Sequence, residues 1–164
     1  MAKRHPVLLA VGLIFFILLA AFFLSYNPLQ KKTATVEKEL RITIPFSASM
    51  TEYHDTRGWF GDGEINAKIK INNDAEKAGS IPGMENWDSL PMPKDLSILI
   101  FGNDMFSYGN DRIREAQNVK NGLYYFRDRS GQTATPLLNR SSYNFTFALY
   151  DLNSDTLYFY RSDS

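Results

Sequence analysis

A chain of 164 residues with 44 % hydrophobic and 22 % charged residues is neither disordered nor fibrous by composition, and it has room for one domain plus an accessory segment. It contains no cysteine, which excludes disulfides, thiolate nucleophiles, cysteine-ligated zinc and lipid attachment through sulfur. The formal charge is +0, but Lys3, Arg4, Lys31 and Lys32 all precede the domain; the other 14 basic residues face 18 acidic ones, about −4, which argues against a nucleic-acid partner.

From Val7 to Leu24 the sequence reads VLLAVGLIFFILLAAFFL, with no charge and no strong polar group. As a helix it would span roughly 27 Å at about 1.5 Å per residue, close to the thickness of a bilayer core. Lys3, Arg4 and His5 come before it with nothing acidic nearby, so the positive-inside bias places the N-terminus in the cytoplasm and the rest across the membrane. A cleaved signal peptide has a shorter apolar region ending in a small-x-small site, whereas Ala20 and Ala21 are followed by Phe22, Phe23 and Leu24. The expectation is a signal-anchor over residues 1–24, a polar tether over 25–39 containing Pro28, and an extracytoplasmic β-rich domain over 40–164. The partner implied is the cell membrane, crossed once; cleavage near Ala21 is the alternative.

Within the domain, Leu40, Ile42, Ile44 and Phe46 alternate with Arg41, Thr43 and Pro45, which predicts a half-buried strand at a sheet edge. Ile65, Ala67, Ile69 and Ile71 alternate with Glu64, Asn66, Lys68 and Lys70, a strand with one core face and one wet face. The continuous run Ser97 to Phe101 predicts a central strand buried on both faces. Leu123 to Phe126 follows the turn signal Asn121-Gly122, and the stretches Tyr143 to Tyr150 and Leu157 to Tyr160 flank Asp151 to Asp155, a tight hairpin turn. Short helices are expected at Asp74 to Ala78 and Asp111 to Val119. Altogether the fold class is mainly β with one N-terminal transmembrane helix: an antiparallel sheet or small sandwich, α+β as the alternative, and one or two short helices.

The densest collection of polar, glycine and aromatic residues runs from His54 to Glu64, between the first two strands. Its glycines permit sharp turns, and an imidazole, three carboxylates, a guanidinium and an indole lie within eleven residues. The string Asp55-Thr56-Arg57-Gly58-Trp59-Phe60-Gly61-Asp62-Gly63-Glu64 resembles the D-T-H-G-G-F-H-G-D-G-E signature of small uncharacterised membrane-anchored or lipoprotein-like proteins of Gram-positive bacteria. The later Trp87-Asp88-Ser89-Leu90-Pro91 element extends the likeness. That family supplies no activity, and this chain has Arg57 and Trp59 where the signature has histidine and glycine, and lacks its second histidine.

Four readings of the loop follow from its own residues. As a metal site, His54, Asp55, Asp62 and Glu64 offer one nitrogen and several oxygens, without a paired-histidine or EF-hand spacing. As an acid–base site, His54 would work with Asp55, or Asp62 with Glu64. As a recognition loop, Arg57, Trp59 and Phe60 would form a contact surface of the kind enriched in binding hot spots. As a structural loop, Gly61-Asp62-Gly63 would turn the chain into the next strand with Trp59 and Phe60 packed over the sheet end. No cofactor and no metal are implied, and no phosphate loop or nucleophile elbow is present. The function expected is a membrane-tethered binding module of the cell envelope using His54, Asp55, Arg57, Trp59, Phe60, Asp62 and Glu64, with an envelope protein or another envelope component as partner. The alternatives are a hydrolase-like envelope enzyme using the same loop, and a structural subunit of a membrane complex.

Overall fold

The computed structural model describes residues 13–17, 28–72, 81–102, 110–132 and 134–164. Its contacts divide the chain into two units, Met1–Lys32 and Thr33–Ser164. In the first, residues 13–17 are helical, and Leu13, Ile14, Phe15, Phe16 and Ile17 are exposed. The rest of the expected Val7 to Leu24 span lies outside the described residues. Among the described residues no helix is long and apolar enough to cross a membrane. The expected fold class is corrected accordingly: the described chain is an antiparallel sheet with a few short helices, without the transmembrane helix.

In the second unit six strands form one sheet. They are β1 (Ser49–Asp55), β2 (Gly63–Lys70), β3 (Asp88–Ser89), β4 (Gly122–Asp128), β5 (Phe145–Asp151) and β6 (Thr156–Asp163), in the order β1-β2-β6-β5-β4-β3. Every neighbouring pair is antiparallel. The β5–β6 hairpin is the one expected. Its turn places Asp155 at φ 48°, a left-handed conformation that Asp tolerates, and the Asp151 carboxylate accepts from the Asn153 amide at 2.9 Å and the Ser154 hydroxyl at 2.7 Å.

Both faces of the sheet are covered. On the first, Ile65, Ala67 and Ile69 of β2, Ala148 and Tyr150 of β5, and Leu157 and Phe159 of β6 meet Val36 and Leu40 of helix α1 (Pro28–Leu40), together with Ile42, Ile44, Ile81, Met84 and Trp87. On the second, Phe145, Phe147 and Leu149 of β5, Tyr158 and Tyr160 of β6 and Tyr124 of β4 meet Leu96, Leu99, Ile100 and Phe101 of helix α2 (Lys94–Phe101), plus Ile113 and Ala116. The last two belong to a 3-10 helix, Asp111–Asn118, where a short helix was expected; the Asn110 side chain caps it by accepting from the Arg112 amide. The helix expected at Asp74 to Ala78 lies outside the described residues.

Four local expectations are revised. Ser97 to Phe101 is part of α2, whose Leu96, Leu99 and Ile100 fall at the i, i+3, i+4 spacing that packs one helix face on the sheet. Leu40, Ile42 and Ile44 are buried as their alternation implies, yet they pair with no strand. The amides of Ile42 and Ile44 are satisfied instead by the Glu37 carbonyl at 3.3 Å and its carboxylate at 2.8 Å, and Phe46 is exposed. Where a polar tether was expected, residues 28–40 form α1. The wet face expected of β2 is also partly enclosed, since Asn66 is buried.

Candidate functional site

The sequence-predicted loop closes the β1–β2 hairpin. Its two sides stay paired beyond the strands: the Thr56 amide donates to the Glu64 carbonyl at 2.9 Å, the Glu64 amide donates to the Thr56 hydroxyl at 3.0 Å, and the Gly58 amide donates to the Asp62 carbonyl at 3.0 Å. A final bond, Gly61 amide to Gly58 carbonyl at 3.0 Å, makes Gly58-Trp59-Phe60-Gly61 the apical β-turn. Glycine is required at position 63, where φ is 132° and a Cβ would lie 2.8 Å from the Arg57 Cα. The hairpin therefore projects two aromatic residues at its apex. Trp59 is 102 % exposed and Phe60 96 %. They do not pack over the sheet end.

The other candidates are divided between the two faces, because successive strand residues point opposite ways. Tyr53 packs on the first core, and Asp55 shares its side of β1. Arg57 grips the Asp55 carboxylate with two bonds, Nε to Oδ1 at 2.9 Å and a terminal nitrogen to Oδ2 at 2.7 Å, while its amide adds a third at 3.1 Å. That guanidinium holds the Asp55 carboxyl below the usual range. His54 points the other way, opposite Asn66, beside a cavity of about 10 Å³ that it shares with Glu52, Asn66, Lys68, Arg112 and Ile113. Glu64 is on that second side too. Its carboxylate accepts from the Tyr160 hydroxyl at 2.9 Å and from the Asn110 amide at 3.2 Å; the Asn110 amide also reaches Asn66 at 2.8 Å. Asp62 is exposed near the tip.

The structure thus brings together Asp55 with Arg57, and Trp59 with Phe60, but separates His54 from Asp55. Among the described residues no group of three or more metal-ligating side chains is assembled. A larger concavity, about 230 Å³, lies among Leu90, Met92, Phe101, Val119, Leu149 and Lys120, and none of the loop residues lines it.

A second polar assembly, absent from the sequence expectations, occupies the same end of the sheet. Arg127 and Arg161 both bind the Glu39 carboxylate of α1, at 2.7 and 2.6 Å. Arg161 and Arg129 both bind Asp163, each at 2.7 Å. Arg140 pairs with Asp128 at 2.7 Å; burial raises the Asp128 carboxyl, but bonds from Ser130 and the Arg140 charge outweigh it and leave it lowered. One signal for this network was legible. Arg127 and Arg161 continue the apolar phases Leu123-Tyr125 and Leu157-Phe159, so each puts a charge where a core residue is due.

Burial also acts on the phenols. Tyr53, Tyr124, Tyr150, Tyr158 and Tyr160 are all pushed upward by desolvation, Tyr150 and Tyr160 furthest; nearby carboxylates, Asp155 for Tyr150 and Glu64 for Tyr160, add to the effect. A raised folded-state value means that their contribution to stability is fully present below about pH 10 and is lost as the pH rises above it. We expect Tyr150 and Tyr160 to ionise together with unfolding in an absorbance titration at 295 nm, and in denaturant to titrate at the ordinary value. A smooth titration near pH 10 with the fold retained would contradict the burial described.

The chain matches no protein-family model, no curated protein and no solved structure.

Proposed function

We propose that this protein is a binding module of the cell envelope, presented on the extracytoplasmic side, which engages its partner through the tip of the β1–β2 hairpin. The observation that carries the reading is the full exposure of Trp59 and Phe60 side by side at the apex. Large aromatic side chains lose favourable burial when left in water, and they are the residue types that anchor binding surfaces. The tip is held ready by the paired loop and the Asp55–Arg57 clasp, so little ordering remains to be done on binding. The apolar run Val7 to Leu24, preceded by Lys3 and Arg4, supports delivery to the membrane. The division of His54 and Asp55 between opposite faces supports binding over catalysis.

The test is complementation. A Trp59→Ser/Phe60→Ser chain should melt within about 2 °C of the parent, since neither side chain packs on the domain. It should nevertheless fail to restore whatever envelope phenotype deletion of the gene produces. Full complementation by the double variant would sink the reading.

A further inference from the structure

We infer that the partner of the hairpin tip is the headgroup region of a phospholipid bilayer, into which Trp59 and Phe60 insert. The inference rests on the tip being the contact surface and names what it contacts.

Three observations favour lipid over a protein pocket. The first is size. Two aromatic side chains bury about 300 to 500 Å² between them. A standard protein interface takes about 800 Å² from each partner. The flanks of the apex cannot make up the difference, because they are Thr56, Arg57, Asp62 and glycines: Gly58 and Gly61 present only backbone and have open space where a Cβ would stand. A bilayer, in contrast, has no shape to match and accepts a narrow apex.

The second is residue chemistry. Indole combines an apolar body with an N–H donor, which suits the boundary between headgroups and acyl chains. Directly below the apex, Arg57 and Asp55 are neutralised as a bidentate pair. Insertion to that depth therefore leaves no isolated guanidinium to be dehydrated. Asp62 is exposed two residues from Phe60, and its carboxylate limits the depth to the apex itself.

The third is proximity. The same chain carries the apolar run Val7 to Leu24 behind Lys3 and Arg4, and under the proposed delivery to a membrane a small second contact suffices.

Because the chain has no cysteine, position 60 can be labelled uniquely. Phe60→Cys and, as control, Phe46→Cys would each carry an environment-sensitive nitrobenzoxadiazole dye. Phe46 is 98 % exposed and lies just before Ser49, which pairs with Lys70 at the opposite end of the hairpin. The full chain is transferred from detergent into vesicles of phosphatidylcholine and phosphatidylglycerol. Dye at position 60 should shift to the blue, brighten about two-fold or more, and be quenched by acyl-brominated lipid, as expected for an interfacial site; dye at position 46 should report water. The unmodified chain gives an independent reading. Trp87 is buried, so aqueous iodide reports Trp59, and its quenching should fall about two-fold or more on vesicle addition. A watery signal at position 60 with undiminished iodide quenching, or equal responses at positions 60 and 46, overturns the lipid assignment. If the Trp59→Ser/Phe60→Ser chain still fails to complement in that case, the tip remains the contact surface and its partner is a protein; if it complements, both inferences fall.

Discussion

Truncating Phe147 or Phe159 to alanine is expected to cost about 3 to 5 kcal/mol in either case. The two side chains lie on neighbouring strands but on opposite sides of the sheet: Phe147 pairs with Tyr160, and Phe159 with Ala148. Both are 0 % exposed. Phe147 and Phe101 of α2 pack in a T-shaped pair, at a centroid distance of 6.3 Å and an interplanar angle of 87°. Phe159 belongs to the opposite core, with Val36 and Leu40 of α1. A sheet with one wet face would show one large loss and one near zero; a sheet enclosed by helices and loops on both faces shows two large ones. Against a total stability of roughly 5 to 15 kcal/mol for an ordinary domain, either loss is a large fraction. Denaturant unfolding followed by the fluorescence of buried Trp87 measures both. A cost below about 1 kcal/mol for either variant would show that its face is open to solvent.

That enclosure was only half legible in the sequence, for reasons that attach to particular residues. Alternation over Ile65 to Ile71 reads directly as β2, because a strand with a solid core behind it imposes a period of two on its own sequence. The same period over Leu40 to Ile44 also reports burial correctly. Period two reports only an extended backbone, though, and here the hydrogen bonds go to Glu37 at the end of α1 rather than to a sheet. The apolar run ending at Phe101 is too short for periodicity to separate strand from helix. The cue lay just upstream, where Leu96 extends the run to the 3-4 spacing and Pro93 stands at the helix boundary with Asp95 in the first turn. β1 escapes a sequence reading altogether. Ser49–Asp55 is an edge strand with mostly exposed side chains and has no apolar face to announce it. Missing β1 also hid the geometry of the site, since only a strand through His54 and Asp55 sends those two side chains to opposite faces. The tip residues were found by composition, but composition is silent on whether Trp59 folds back or projects; the Gly58–Gly61 turn decides that.

Replacing Glu39 with alanine should lower stability by about 2 to 4 kcal/mol, and the reason is arithmetic of charge in a confined place. One carboxylate serves Arg127 through Oε2 and Arg161 through Oε1, and accepts the Thr146 hydroxyl at 3.3 Å as well. Its side chain is 14 % exposed, against 30 % for Arg127 and 19 % for Arg161. Without it, two guanidiniums share a partly dehydrated space with Asp163 as the sole remaining partner of Arg161 among the described bonds. The cost stays below that of a fully buried pair because Arg127 can turn toward water. Glu39→Gln keeps an acceptor and the helix propensity but removes the charge, so its loss should be smaller, about 1 to 2 kcal/mol. Substituting Glu39, Arg127 and Arg161 together by leucine or methionine should recover much of the loss, since no lone charge is then left behind. An exposed pair would be erased by salt, whereas here 0.5 M NaCl should remove less than about half of the difference between the parent and Glu39→Ala. Thermal melts on the four chains decide the matter. If Glu39→Ala melts with the parent, the carboxylate is a surface ornament and α1 is held by Val36 and Leu40 alone; if the ordering holds, a single residue of α1 secures the charges at the end of β4 and β6. The same network reaches Asp163, opposite Gly63 at the base of the β1–β2 loop, so its strength bears on how firmly the aromatic tip is carried.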